Sequence, residues 1–178
     1  MWYKIALFLH VIGALLLCTA LVIEWLCILN LRKADTPERI RESVFNYSAL
    51  SKIGGTAMLL ILIPGFYMTA MVWKDASWIM IALAGLLLLG IIGGVVTGRK
   101  MNKIKKMVKT GNNSVQEFKP LLNKNSLWLS IQIRTFLFLG IIFLMTVKPG
   151  LAGSITAILI SILVGFLPLR RISYKGKG

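Results

Sequence analysis

Apolar residues in this chain gather into five long runs, separated by short polar stretches that are mostly basic. The runs extend from about Tyr3 to Leu31, Ile53 to Trp73, Trp78 to Gly98, Leu127 to Val147 and Leu151 to Leu169. A helix rises about 1.5 Å per residue, so about 20 residues cross a hydrocarbon layer about 30 Å thick. A backbone in lipid must satisfy its own N–H and C=O groups, and helices do so within one segment. The pattern therefore predicts an all-α fold: a single transmembrane helical domain over residues 1–178, a bundle of five spans.

The polar stretches carry signals of their own. In "DTPERIRESVFNYSALS", Thr36 is a candidate N-cap and Pro37 suits the first helical position, so a helix is expected to start there. "RKMNKIKKMVK" is expected to continue the third helix, with Met101, Ile104, Met107 and Val108 on one face, suited to lying on anionic lipid. Gly111-Asn112-Asn113 predicts a turn. Ser114-x-x-Glu117 predicts a capping box for a short helix limited by Pro120.

Charge orients the bundle. Lys and Arg collect in short cytoplasmic loops. Arg32–Lys52 holds five, Arg99–Lys124 eight and Arg170–Lys177 four, while the opposite side holds Lys4, Lys74 and Lys148. Five spans put these groups on alternating sides, which predicts an amino terminus outside and a carboxyl terminus inside. Trp2, Tyr3, Trp73 and Trp78 then fall at the outer boundary, and Trp25, Trp128 and Tyr174 near the inner one, where amphipathic rings prefer to sit. The net charge of +15 follows from this arrangement and does not call for nucleic acid. The expected partners are the bilayer, anionic lipids at the cytoplasmic face, and a second copy or another membrane protein.

Composition agrees. The chain is 57% hydrophobic with mean hydropathy +0.78, against about 45–50% apolar residues in soluble domains. Cys18 and Cys27 lie nine residues apart on one helix, so they are expected to stay unbridged and to act as small apolar packers. No cleavable leader is expected: Lys4 is the only early cation, the first run is too long, and no A-x-A site follows it. Leu17 occupies the place where a lipoprotein box needs a small residue.

Helices in lipid associate where small residues let them approach. Gly90, Gly94 and Gly98 recur every four residues in the third run. Gly153, Ala157, Ser161 and Gly165 do so in the fifth, and Ala6, His10, Ala14 and Cys18 in the first. These faces suit packing within the bundle or a homodimer. In "LIPGFY", Pro64 lacks an N–H and frees the carbonyl of Leu60, and Gly65 lies beside it. This predicts a bend, or a hinge or cavity wall.

Three ionisable groups stand out inside the runs: His10, Glu24 and Arg134. Glu24 and His10 are fourteen residues apart on one helix, which puts them on a common face with Gly13, Ala14, Leu17 and Leu21. Arg134 lies about 10 Å into the fourth run, and Gln132 is near it. Glu24 and Arg134 share the inner half, so they are proposed to pair; the alternative is that each reaches the headgroups separately. His10, the only histidine, lies in the outer half with Met68, Met71, Met80 and Met145. An imidazole with a thioether, as in His10 with Met68, is a known axial pair for haem iron, and thioethers suit Cu(I). The plainer reading is a hydrogen-bonded packing residue. No other metal site is expected.

"KIALFLHVIGALLLCTALVIEWL", "KIGGTAMLLILIPGFY" and "FLMTVKPG" resemble a broad group of small bacterial membrane proteins. That group includes the copper-resistance protein D type, the haem-containing membrane protoporphyrinogen oxidase type, and an uncharacterised relative predicted only as an integral membrane protein. The resemblance covers mainly the first two spans. It implies a bacterial cytoplasmic membrane location, and it aligns His10 with the histidine that ligates haem in the oxidase branch. The aromatic and double glycine usual after that histidine are missing from Leu15–Ala20.

Three functions remain open. The first is a structural or accessory membrane protein without catalysis. The second is a haem b-binding redox protein centred on His10. The third is a small transporter using Pro64, Glu24 and Arg134, for which Thr56, Thr69, Gln132 and Thr135 are most of the polar lining on offer. No nucleophile sits beside a base and no carboxylates are paired, so hydrolytic chemistry is not indicated. The first reading is preferred.

Overall fold

The computed structural model describes residues 1–73, 76–109, 117–118 and 125–167. Among the described residues six α-helices form the architecture and no strand occurs. They are α1 (Trp2–Lys33), α2 (Pro37–Val72), α3 (Ser77–Ile92), α4 (Arg99–Lys109), α5 (Asn125–Val147) and α6 (Leu151–Phe166). A π-helical turn, Gly93–Gly98, joins α3 to α4 without a break. Trp2–Lys33, Pro37–Val72, Ser77–Lys109 and Ser126–Val147 are each long and apolar enough to cross a membrane, and α6 is a shorter apolar helix. The expected turn at Gly111–Asn113, the Ser114 cap, Pro120, Lys74, Tyr174 and the Arg170–Lys177 segment lie outside the described residues.

The helix expected after Thr36 and the span expected at Ile53–Trp73 are one element of 36 residues. Thr36 Oγ1 accepts the Arg39 N–H at 3.4 Å, and Pro37 opens the first turn. Nothing between them and Pro64 can stop a helix, because a glycine such as Gly54 or Gly55 costs only about 1 kcal/mol. At about 1.5 Å per residue, 36 residues measure about 54 Å, far more than a hydrocarbon layer. The first part of α2 must therefore project beyond it.

Contacts fix the directions. His10 of α1 meets Ile61 of α2, while Leu31 clusters with Ile40, so α1 and α2 are antiparallel. Gly90 lies against Met58, and Lys105 reaches Ser48, so the α3–α4 rod runs opposite to α2. Gly85 meets Ile141 and Thr97 meets Ser130, so α5 opposes α3. Gly165 packs on Ile133, and Gly140 on Ser161, so α6 returns along α5. Successive long segments thus alternate in direction. The centre of the bundle is α5: 61% of its apolar window is buried, against 22–28% in the three longer segments.

Two cores result. The larger joins Leu17, Leu21, Ala57, Leu86, Leu137 and Ile141. Outward from it, Leu15, Val22, Leu59, Ile63, Ile91 and Leu163 are exposed, an apolar exterior too extensive for water and suited to lipid. The smaller core, at the basic end, joins Leu31, Ile40, Val44, Met101, Ile104 and Phe118. This corrects the expectation for α4. Met101 and Ile104 are fully covered by α1, α2 and Phe118 rather than turned to lipid. The projecting start of α2 offers that face a protein partner.

Aromatic rings cluster at both ends. Trp73 and Trp78 meet edge to face at 5.7 Å, with the Lys148 ammonium over Trp73. At the other end Trp25 and Trp128 meet at 4.4 Å, with Arg32 over Trp128.

Candidate functional site

The polar centre of the bundle forms where α1, the π turn and α5 meet. Arg134 Nη2 donates to Glu24 Oε1 and, at 3.4 Å, to Thr97 Oγ1. Glu24 and Arg134 are each only 6% exposed, so neither side chain reaches a headgroup region on its own. Thr97, fully buried, shares a 2.9 Å hydrogen bond with Ser130, one turn from Arg134. Arg134 Nε is buried without a partner.

Glycine makes room for the guanidinium. A Cβ on Gly93 would lie 2.7 Å from Arg134 Nη1. That atom ends a flexible chain, but the same guanidinium is held by Glu24, so it cannot retreat freely. The neighbouring Gly94 has nothing within 4 Å. The π turn thus presents a bare patch of backbone and one hydroxyl to the same arginine, and π turns in α-helices often occur at functional positions.

Surrounding bonds hold the three elements in register. Trp25 Nε1 donates to Thr135 Oγ1 at 2.8 Å. Gln132 does not join the ion pair: its amide donates to the Leu167 carbonyl and ties down the end of α6. Beside this centre, Tyr47 lies on the projecting part of α2. Burial pushes its phenol well above the ordinary range, and the Glu24 carboxylate adds to the rise.

His10 lies in a different place, between α1 and α2. Its Nδ1 is 2.9 Å from the Ile61 carbonyl oxygen. A carbonyl can only accept, so Nδ1 is the donor in this contact, and in the neutral ring Nε2 is the nitrogen that carries the lone pair. The contact is to Ile61, not to Leu60, whose carbonyl loses its helical donor at Pro64. Gly13 allows the two helices this close: a Cβ there would lie 2.9 Å from the Leu60 and Ile61 backbone, whereas one on Gly65 would make only ordinary contact with the imidazole at 3.4 Å. Pro64 itself is buried inside a helix that continues through it. Met68 is buried one turn further along α2, Met71 and Met80 are exposed, and Met145 packs against the larger core. Among the described residues no group of three or more His, Cys, Asp and Glu side chains could hold a metal ion. Cys18 is exposed and Cys27 buried, and both are free.

The small-residue faces divide. Gly90 packs against Met58, and Gly165 lies 2.8 Å (from its would-be Cβ) from Ile133 Cα. Ala157 borders the larger core and Ser161 lies against Gly140. Gly94 meets nothing, Gly98 meets only the Gly93 carbonyl, and Gly153 meets only Pro149 of its own turn. Further close approaches fall at Gly13 on α1, Gly85 on α3, Gly93 in the π turn and Gly140 on α5. Sequence reasoning also passed over Thr97 and Ser130, although two hydroxyls at matching depth in neighbouring spans were a usable signal.

Comparison with curated proteins and with solved structures finds no match. A family model does match, over residues 4–149, which takes in α1 to α5 and both the ion pair and His10. On that match the chain belongs to the family described as predicted integral membrane protein (DUF2269).

Proposed function

We propose that this protein is a non-catalytic, accessory component of a bacterial cytoplasmic membrane, with its amino terminus outside and its basic end in the cytoplasm. The observation that carries this reading is the Glu24–Arg134 pair. Both charges are spent on each other and on Thr97 at the junction of α1, the π turn and α5. Such a pair fixes the register of three helices. Removing one partner leaves an uncompensated buried charge, which costs about 3–5 kcal/mol, whereas an apolar pair of similar volume is often neutral. The test is a comparison of Glu24→Leu, Arg134→Leu and the double variant, each unfolded in mild detergent and each used to complement a deletion strain. A structural pair predicts two unstable single variants and a double variant close to the parent in stability and in complementation. A stable double variant that fails to complement would show that the charges themselves work, as in transport, and the reading would fall.

One observation favours a second reading. His10 has its Nδ1–H held by a carbonyl, as in many metal-ligating histidines, which in the neutral ring leaves the Nε2 lone pair for a ligand. Together with the resemblance in the first two spans, this supports haem b held by His10, with Met68 on the adjacent turns of α2. A bound haem would supply one-electron chemistry. The fit rests on one nitrogen, since the Ile61 carbonyl engages the other. The protein purified in mild detergent would show a Soret band that His10→Ala abolishes; a colourless protein from haem-replete cells ends this reading.

A further inference from the structure

A groove of about 720 Å³ runs between the projecting half of α2 and the π turn and α4. Four cations line it: Arg41 and Lys52 from α2, Lys105 and Lys109 from α4. Lys105 Nζ donates to Ser48 Oγ at 3.1 Å across it. Among the described residues no carboxylate lines the groove. Among the described residues Arg41, Lys52 and Lys109 have no ion-pair partner. The walls between the cations are apolar, formed by Val44, Phe45, Met101 and Val108, and Phe45 is 75% exposed.

An inorganic anion would use the charges but not the walls, and a neutral lipid would use the walls but not the charges. One end of the groove, at Ser51, Lys52 and Gly98, is where α2 and α3 pass into their apolar spans. In the orientation proposed above, that end lies at the inner headgroups. We propose that the groove binds one anionic phospholipid, with its phosphate between Lys52 and Lys105. Basic pockets on the cytoplasmic side of helical membrane proteins suit this chemistry, because the headgroup phosphate gains charge-assisted hydrogen bonds while the apolar part stays covered. The inference rests on the proposed orientation but not on the role of the ion pair.

The test uses the full chain, purified in mild detergent, exposed to equal phosphatidylglycerol and phosphatidylethanolamine, and read by native mass spectrometry. Wild-type protein is expected to keep one phosphatidylglycerol per chain in preference to phosphatidylethanolamine. Each Lys or Arg near a lipid phosphate contributes roughly fivefold, so Arg41→Gln/Lys52→Gln/Lys105→Gln should lose at least about tenfold in retention. Arg39→Gln/Arg99→Gln/Lys103→Gln removes the same charge from the same end outside the groove and should lose much less. If the first triple variant misfolds, Lys52→Gln/Lys105→Gln carries the same comparison. Equal losses in the two sets, equal retention of the two lipids, or displacement by soluble glycerol phosphate at comparable concentration would each overturn the proposal. Such a failure beside an intact Glu24/Arg134 result leaves the structural role of the pair standing.

Discussion

At Arg134 a full charge sits inside an apolar helix, where an unpaired arginine costs at least about 2.5–3.5 kcal/mol. Its position on α5, and that of Glu24 on α1, could be read as depths from helix rise alone. The structure brings the two together with neither exposed. What depth does not encode is the third wall. Thr97 and Gly93 line that wall from the π turn after Ile92, and no residue type announces that turn. A sharp consequence follows at two adjacent glycines. Gly93→Ala must displace the guanidinium and should cost about 1–3 kcal/mol, as overpacking does. Gly94→Ala meets nothing and should be neutral or stabilising by up to about 1 kcal/mol. Thermal unfolding of the two variants side by side checks this, and equal effects would remove the close contact from the account. The depth of His10 was equally legible. Its bond to Ile61 was not, since the donor skips the carbonyl that Pro64 leaves free.

Among the elements, run length located the apolar helices, because lipid thickness sets a minimum that few other structures need. It did not show that α2 runs unbroken from Pro37. A break was expected where apolar composition begins at Ile53, yet composition changes there while helix propensity does not. The face of α4 was legible as a stripe, but its partner was not. A local pattern says that Met101 and Ile104 must be covered, and only the length of α2 decides that protein covers them. Small-residue spacing was similarly half informative: Gly94 satisfies the period and touches nothing, while Gly13, outside the series on its own helix, sits on the α2 backbone. Gly13→Ala should therefore push α1 from α2 and cost about 1–3 kcal/mol. Gly55→Ala, with open space around it, should gain up to about 1 kcal/mol. Unfolding in detergent distinguishes the two, and a harmless Gly13→Ala would mean the helices are not in backbone contact.

For the whole molecule, alternating helix directions gather the basic loops at one end. Arg32, Arg41, Lys52 and the cations of α4 lie beside the smaller core, and Lys4 and Lys148 lie at the other end with Trp73 and Trp78. Lys and Arg favour the cytoplasmic side when such segments insert, and this asymmetry is the ground for the orientation proposed above. That orientation would set Glu24 and Arg134 toward the inner face, His10 toward the outer face, and the groove beside α4 at the inner headgroups. Single cysteines introduced at Trp2 and Lys109, in a chain with Cys18 and Cys27 replaced by alanine, test this most directly. In intact cells a membrane-impermeant maleimide should label position 2 and should reach position 109 only after permeabilisation. Labelling of both positions in intact cells, or of position 109 alone, would contradict the account.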